Sequence, residues 1–243
     1  MANRYAENMN VQDSERVCVE ESSSQEEQGP ASLSETENIL PGATADGKLY
    51  SSLSRRELWP LLLDVEGRRI PNHYKALLEL AGQTPETAMQ IEKDLPRTFA
   101  GRKELTPESD MWGALKRVLT AFAAHDAELG YVQSMNFLAA FLLLAGVQEE
   151  DAFWCLVALV TEVVPGYFEE GMWAAKVDQR VFAELVHREL PALGLHVAAL
   201  GPNNIICGII SSQWLLTLFV HALPDATLIH LWDLLLRERS RRV

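Results

Sequence analysis

Cysteine is scarce in this chain: Cys18, Cys155 and Cys207 are the only three among 243 residues, with no CxxC pair and no histidine cluster nearby. An odd number at wide spacing excludes a disulfide framework and a cysteine-built zinc site, and no metal site is expected. It assigns Cys155 and Cys207 to an apolar core in the reducing cytoplasm. Basic charge is also in short supply, with 21 Lys and Arg against 34 Asp and Glu, a net charge of -13 and a pI near 4.9. That balance argues against wrapping nucleic acid or lying on anionic lipid through the bulk surface. Met1 to Gly47 contains no apolar core of a secretory signal. No GxxxxGK[ST] loop is present to cradle phosphates, so the chain is not expected to bind a nucleotide of its own. From Leu190 to Pro224 there is no Asp, Glu, Lys or Arg, a length sufficient to cross a bilayer. Gly201-Pro202-Asn203-Asn204 interrupts that run, however, and Ser211, Ser212, Gln213 and His221 would each need a partner in lipid. A buried helix in an all-α domain is therefore expected there rather than a membrane span.

What is present divides near residue 50. Ten acidic residues face three basic ones up to Lys48, and "ESSSQEEQGPASLSETEN" has almost no large apolar groups. Residues 1–50 cannot offset the entropy of ordering and are expected to form a disordered acidic tail. The rest, at 48% hydrophobic residues for the whole chain, is ample for a core. It reads as successive helices with no convincing strand alternation. Ser54 with Glu57 forms a capping-box pattern ahead of "LWPLLL", where Pro60 should kink or shorten the helix. Thr84-Pro85-Glu86 and Thr106-Pro107-Glu108 each put a hydroxyl cap, a first-turn proline and an acid in order, predicting two more helix starts. The second should run to a stop at Gly130. Further helices are predicted over roughly 151–163, 173–190, 205–222 and 225–236. Val177, Val181, Phe182, Leu185 and Val186 form an apolar stripe expected to face inward, and Phe137 to Val147 is apolar on every side and should be central.

Two stretches carry chemistry. In "LGYVQSMNFLAAFLLLAG", Leu129 to Gly146, the polar Gln133, Ser134 and Asn136 stand at the entrance of the central helix, just after Gly130. On chemistry alone they serve to satisfy orphan backbone amides at that terminus. In "IEKDLPRTF", Ile91 to Phe99, Pro96 turns the chain so that Arg97 projects from a bend, with Asp94 three positions earlier able to hold its guanidinium. By itself that pair is an ordinary surface salt bridge.

Taken in order, "RRELWPLL", "IEKDLPRTF", "YVQSMNFLAAFLLL" and "WLLTLFVHALPDATLIHLWDLLL" resemble the motifs of the TBC domain, an all-helical GTPase-activating module for Rab GTPases, over Leu53 to Leu236. The resemblance implies a multi-helix TBC-like domain at 51–236 and a basic tail at 237–243. It implies that Arg97 of IxxDxxR and Gln133 of YxQGM are catalytic fingers inserted into a GTPase, positioned by Asp94, Tyr131, Ser134 and Asn136. Arg56 and Trp59 of RxxW, with Trp232 and Asp233 of "LWDLLL", take structural places. The implied partner is a Rab-family GTPase in its GTP-bound state, which brings the GTP and magnesium. The chain itself would be an activator of GTP hydrolysis, acting in vesicle traffic and needing no cofactor of its own. Two departures stand out: Ser134 replaces the usual glycine of YxQGM, and the chain stops at "RERSRRV", where the family continues with more helices. The second lobe is thus expected to be incomplete at its C-terminal end, leaving the apolar face of "LIHLWDLLL" uncovered. The alternative to an activator is a catalytically weak or inactive TBC-like scaffold that binds small GTPases. The closing arginines leave room for peripheral contact with endomembranes, a solvated tail being the simpler reading.

Overall fold

Helix starts written into the sequence set the frame. The Glu57 carboxylate accepts from the Ser54 backbone N–H at 3.1 Å and from its hydroxyl at 2.9 Å, opening α1, Arg55–Leu62. Pro60 lies inside that helix, which closes two residues later. The computed structural model describes residues 53–80, 85–201, 205–220 and 222–240. After α1 come α2 (Val65–Arg68), α3 (His73–Leu80), α4 (Pro85–Asp94), a 3-10 turn (Leu95–Arg97), α5 (Asp110–His125), α6 (Met135–Leu144), α7 (Glu149–Ala158) continued by a π-turn (Leu159–Val163), α8 (Trp173–Glu189), α9 (Pro191–Leu200), α10 (Ile205–Leu216) and α11 (Asp225–Ser240). No strand occurs among the described residues, and the fold is all-α. The expected acidic tail at 1–50, Cys18, the Thr84 cap, His221 and the end of the basic tail lie outside the described residues.

A helix apolar all round must be enclosed, and α6 is: Leu138, Ala139, Ala140, Phe141 and Leu142 are fully buried, with α5 and α7 packed along it. The Phe141 ring stands 5.6 Å from Trp59 and 4.9 Å from Trp232, and the two tryptophans are 5.3 Å apart, so α1, α6 and α11 meet in one aromatic cluster. Burial obliges both indole N–H groups to find acceptors. Trp59 donates to Asp233 Oδ1 at 2.8 Å, and Trp232 donates to the Leu218 carbonyl at 3.1 Å. The guanidinium that reaches Asp233 Oδ2, at 3.3 Å, belongs to Arg55. Arg56, the motif arginine, is exposed, because one step along a helix turns a side chain by about 100°. Cys155 and Cys207 are both buried thiols, as their apolar surroundings predicted.

Several expectations are corrected. The α5 helix starts at Asp110, where Ser109 rather than Thr106 is the cap and its Oγ accepts from the Trp112 N–H at 3.2 Å. It ends at His125, with a turn before Gly130. The apolar face of α11 is covered: Leu228, Ile229, Trp232 and Leu236 are buried against the core that α1 shares. The stripe on α8 is split: Val177, Val181 and Leu185 are exposed beside Trp173, while Phe182 and Val186 pack inward against Ala183, Val197 and Cys207. Small side chains explain it: Ala175 and Ala183 face inward and allow close approach, and at Gly194 of α9 a Cβ would lie 2.3 Å from His187 Nδ1 of α8. The uncharged run from Leu190 to Pro224 forms two helices, α9 and α10, instead of one buried helix, and α10 stops at Leu216 as Leu218 and Phe219 turn left-handed. Leu195 and Ile209 on them are exposed. Among the described residues no single helix is long and apolar enough to cross a membrane, and α9 with α10 passes that test only as a pair bent by 108°.

Candidate functional site

Proline cannot donate into an α-helix, and α4 gives way at Pro96 to the turn Leu95–Arg97. Thr98 locks that turn, its hydroxyl donating to the Asp94 carbonyl at 2.7 Å. Arg97 therefore leaves the end of α4 pointing outward, its side chain 53% exposed while that of Asp94 is 6% exposed. Buried carboxylates require partners, and Asp94 has one for each oxygen. Oδ1 faces Arg97 Nη2 at 2.5 Å, and Oδ2 accepts from the Tyr131 hydroxyl at 2.6 Å. Burial, reinforced by that bond to Asp94, raises the Tyr131 phenol well above its ordinary value, so it stays a donor.

A second segment approaches from the entrance of α6. Gly130, at φ +64°, turns the chain to deliver Tyr131. Ser134, the N-cap residue of α6, has φ 94° and ψ -25°, a left-handed conformation that a side chain strains. Its hydroxyl makes no cap bond; instead its backbone N–H donates to Asn136 Oδ1 at 3.1 Å. Asn136, fully buried, donates through Nδ2 to Thr98 Oγ1 at 2.7 Å. The segments bearing Arg97 and Gln133 are thus joined by two buried cross-links, Tyr131 to Asp94 and Asn136 to Thr98. Farther out, Phe99 packs edge-on against Phe137 at 6.0 Å, and Arg102, whose guanidinium carbon lies 5.2 Å from the centre of the Phe99 ring, pairs with Asp225 at the start of α11.

Between the segments lies a cleft of about 180 Å³ lined by Gln90, Lys93, Asp94, Arg97, Tyr131 and Gln133. Gln133 is exposed at its edge. The arrangement holds a planar cation and a neutral amide on one rigid base and offers both outward, able to donate to an anion and to orient a nucleophile. Among the described residues no three His, Cys, Asp or Glu side chains gather to hold a metal. Of the residues singled out from the sequence, Asp94, Arg97, Tyr131, Gln133, Ser134 and Asn136 come together here. Arg56, Trp59, Trp232 and Asp233 stand apart, the last three in the aromatic cluster beneath α1. Sequence reasoning missed Thr98, although a hydroxyl four residues after Asp94 is placed to bond back to its carbonyl. It also missed Lys93 and Gln90, whose faces show only once α4 is built.

The family model of the Rab-GTPase-TBC domain matches residues 52–243. Human TBC1 domain family member 2A is 39% identical over 215 residues, covering 85% of this chain and 23% of that protein. Human growth hormone-regulated TBC protein 1 is 35% identical over 191 residues, covering 77% of this chain and 56% of that protein. The chain therefore spans only part of the curated relatives it matches. Among solved structures, the Chlamydomonas flagellar RabGAP TBC domain superposes with a TM-score of 0.66 at 27% identity, over 82% of this chain and 68% of that one. The Ypt/Rab-GAP domain of Gyp1p shares the fold, with a TM-score of 0.60 at 21% identity over 79% of this chain and 72% of its own. By family model, relatives and fold, this chain belongs to the Rab-GTPase-TBC domain family.

Proposed function

We propose that this chain accelerates GTP hydrolysis by a Rab-family GTPase in its GTP-bound state, with Arg97 and Gln133 as fingers inserted in trans. The observation that carries the reading is the shared cleft: Arg97 and Gln133 line it together, on segments tied by two buried hydrogen bonds. As the γ-phosphoryl is transferred, negative charge spreads over its oxygens, and the Arg97 guanidinium is suited to meet it; fingers of this kind contribute roughly 10³ to 10⁵ in rate. The Gln133 amide can accept from the attacking water and donate to a phosphate oxygen at once without changing charge. Asp94 and Tyr131 hold Arg97 to one direction, so less orientational freedom is lost when it engages. GTP and Mg²⁺ arrive with the GTPase as its substrate and ion. Such an activator would work in the cytoplasm, at endomembranes that carry the GTPase, contributing to vesicle traffic.

A second reading, a GTPase-binding scaffold with weak or no activation, is favoured by Ser134: its left-handed backbone adjoins Gln133, and a misplacement of about 1 Å there can cost ~10²-fold. Single-turnover GTP hydrolysis across a panel of Rab GTPases separates the two. Acceleration by the wild-type chain that Arg97→Ala reduces by about three orders of magnitude, with affinity for the GTP-bound partner retained, supports the activator. Binding without acceleration, unchanged by Ser134→Gly, establishes the scaffold.

A further inference from the structure

Resting on the GTPase-activating reading, we infer that Lys93 is a partner-recognition residue, the cation in the Arg97 cleft that draws in and contacts an anionic group on the GTP-bound GTPase. Lys93 sits in the last turn of α4, is exposed and lines the same 180 Å³ cleft as Arg97 and Gln133. The two carboxylates beside it in the chain are committed elsewhere: Glu92 pairs with Lys116 across to α5, and Asp94 is divided between Arg97 and Tyr131. Among the described residues Lys93 has no ion-pair partner, in a protein carrying a net charge of -13. Arg97 has its charge offset by a carboxylate oxygen 2.5 Å away, which leaves the Lys93 ammonium as the uncompensated charge of the cleft.

Long-range attraction follows uncompensated charge, and short-range recognition follows geometry. Lys93 supplies the first and Arg97 the second. An ammonium is a compact, strongly hydrated point charge on a flexible stem, suited to capturing an anion without fixing its orientation. The anion is either a phosphate oxygen of the bound nucleotide or a carboxylate of the GTPase surface near it. The structural alternative is that Lys93 merely complements the negative end of the α4 dipole. That role would appear in thermal stability and nowhere else.

The test uses the full chain with a Rab GTPase it activates, comparing Lys93→Ala, Lys93→Glu and Lys93→Arg with Lys75→Glu, an exposed lysine on α3 with the same charge change. KM for the GTP-loaded GTPase should rise roughly three- to fivefold with alanine and tenfold or more with glutamate at low salt, stay near wild type with arginine, and converge to within about twofold at 0.5 M salt. Lys75→Glu should move KM less than twofold. Binding to the GTPase loaded with a non-hydrolysable GTP analogue or with GDP identifies the anion: a Lys93 effect confined to the GTP form marks a nucleotide phosphate, and an equal effect in both marks a surface carboxylate. A KM for Lys93→Glu no different from that of Lys75→Glu, with only the melting temperature changed, overturns the inference and leaves the activator reading standing. If the wild-type chain binds a GTPase without accelerating it, the activator reading fails alone, and the dissociation constants of the same variants decide on Lys93. Binding to no GTPase overturns both.

Discussion

The central helix α6, whose entrance carries Gln133, and the pair α9 and α10, packed against α8, are built from similarly apolar sequence, yet they use it in opposite ways. Around α6 the large side chains go inside: Trp59, Phe141 and Trp232 form one cluster, with Asp233 accepting the Trp59 indole. Across α8, α9 and α10, Ala183, Val197 and Cys207 make a second, smaller buried core with Phe182, Val186 and Ile206 packed against it, while Trp173, Leu195 and Ile209 stay 59, 75 and 65% exposed. The first region has an apolar helix enclosed on every side and anchored at its start by the hydrogen bonds of Asn136. The second has helices held close by alanine and glycine, with many of their larger side chains turned outward. What this teaches is where the site obtains its rigidity. Both site segments are fastened to the start of α6, through Asn136, or to the buried end of α4, through Asp94. Among the described residues no side-chain hydrogen bond or ion pair ties either segment to α8, α9 or α10, so a change on their outer faces should leave the cleft intact.

The contrast can be broken most forcefully at Trp59. Trp59→Ala should destabilise the protein by about 3–5 kcal/mol, from lost packing together with an Asp233 deprived of its indole donor. Denaturant titration measures it. Next comes Asn136→Ala, which strands the Ser134 amide and removes the donor to Thr98, at an expected cost of about 1–3 kcal/mol. Because it also removes one of the two cross-links between the segments, leaving only Tyr131 to Asp94, turnover with a GTPase should fall much further than binding does. Equal losses in both would mean that the cross-link supports the fold alone. Ser134→Gly works in the other direction: relief of the left-handed strain should add about 1 kcal/mol of stability and leave activation unchanged or raised, checked by melting temperature and single-turnover rate. The smallest effect belongs to the outer surface, where Leu195→Ser should alter stability by no more than about 0.5 kcal/mol while improving solubility, read by light scattering.

How far the sequence could be read follows from the same contrast. The enclosure of α6 was legible because an all-apolar run leaves no face for water, and the turn at Arg97 was legible because Pro96 forbids continuation. Gathering Asp94, Arg97, Tyr131 and Gln133 at one cleft depended on motif resemblance, since residues 37 positions apart in sequence, such as Asp94 and Tyr131, carry no local sign of their hydrogen bond. The inward face of α8 was read only in part, Phe182 and Val186 but not Val177, Val181 and Leu185, because periodicity marks an apolar stripe without saying which edge of it a small-residue neighbour such as Ala183 draws inward. The cover over α11 was missed for a related reason. Its partners Trp59 and Phe141 lie far away in the chain, and only the folded arrangement brings them to Trp232.

The central claim is that Arg97 and Gln133 act as one unit on one transition state, and a double-mutant cycle in single-turnover GTP hydrolysis tests it most directly. Arg97→Ala and Gln133→Ala should each lower the catalysed rate by orders of magnitude with affinity for the GTP-bound partner nearly unchanged, and the double variant should cost clearly less than the two losses combined. Arg97→Lys should not rescue the rate, since a point charge lacks the planar fork that spans phosphate oxygens. Losses that combine fully, or a wild-type rate retained by either single variant, would contradict the account.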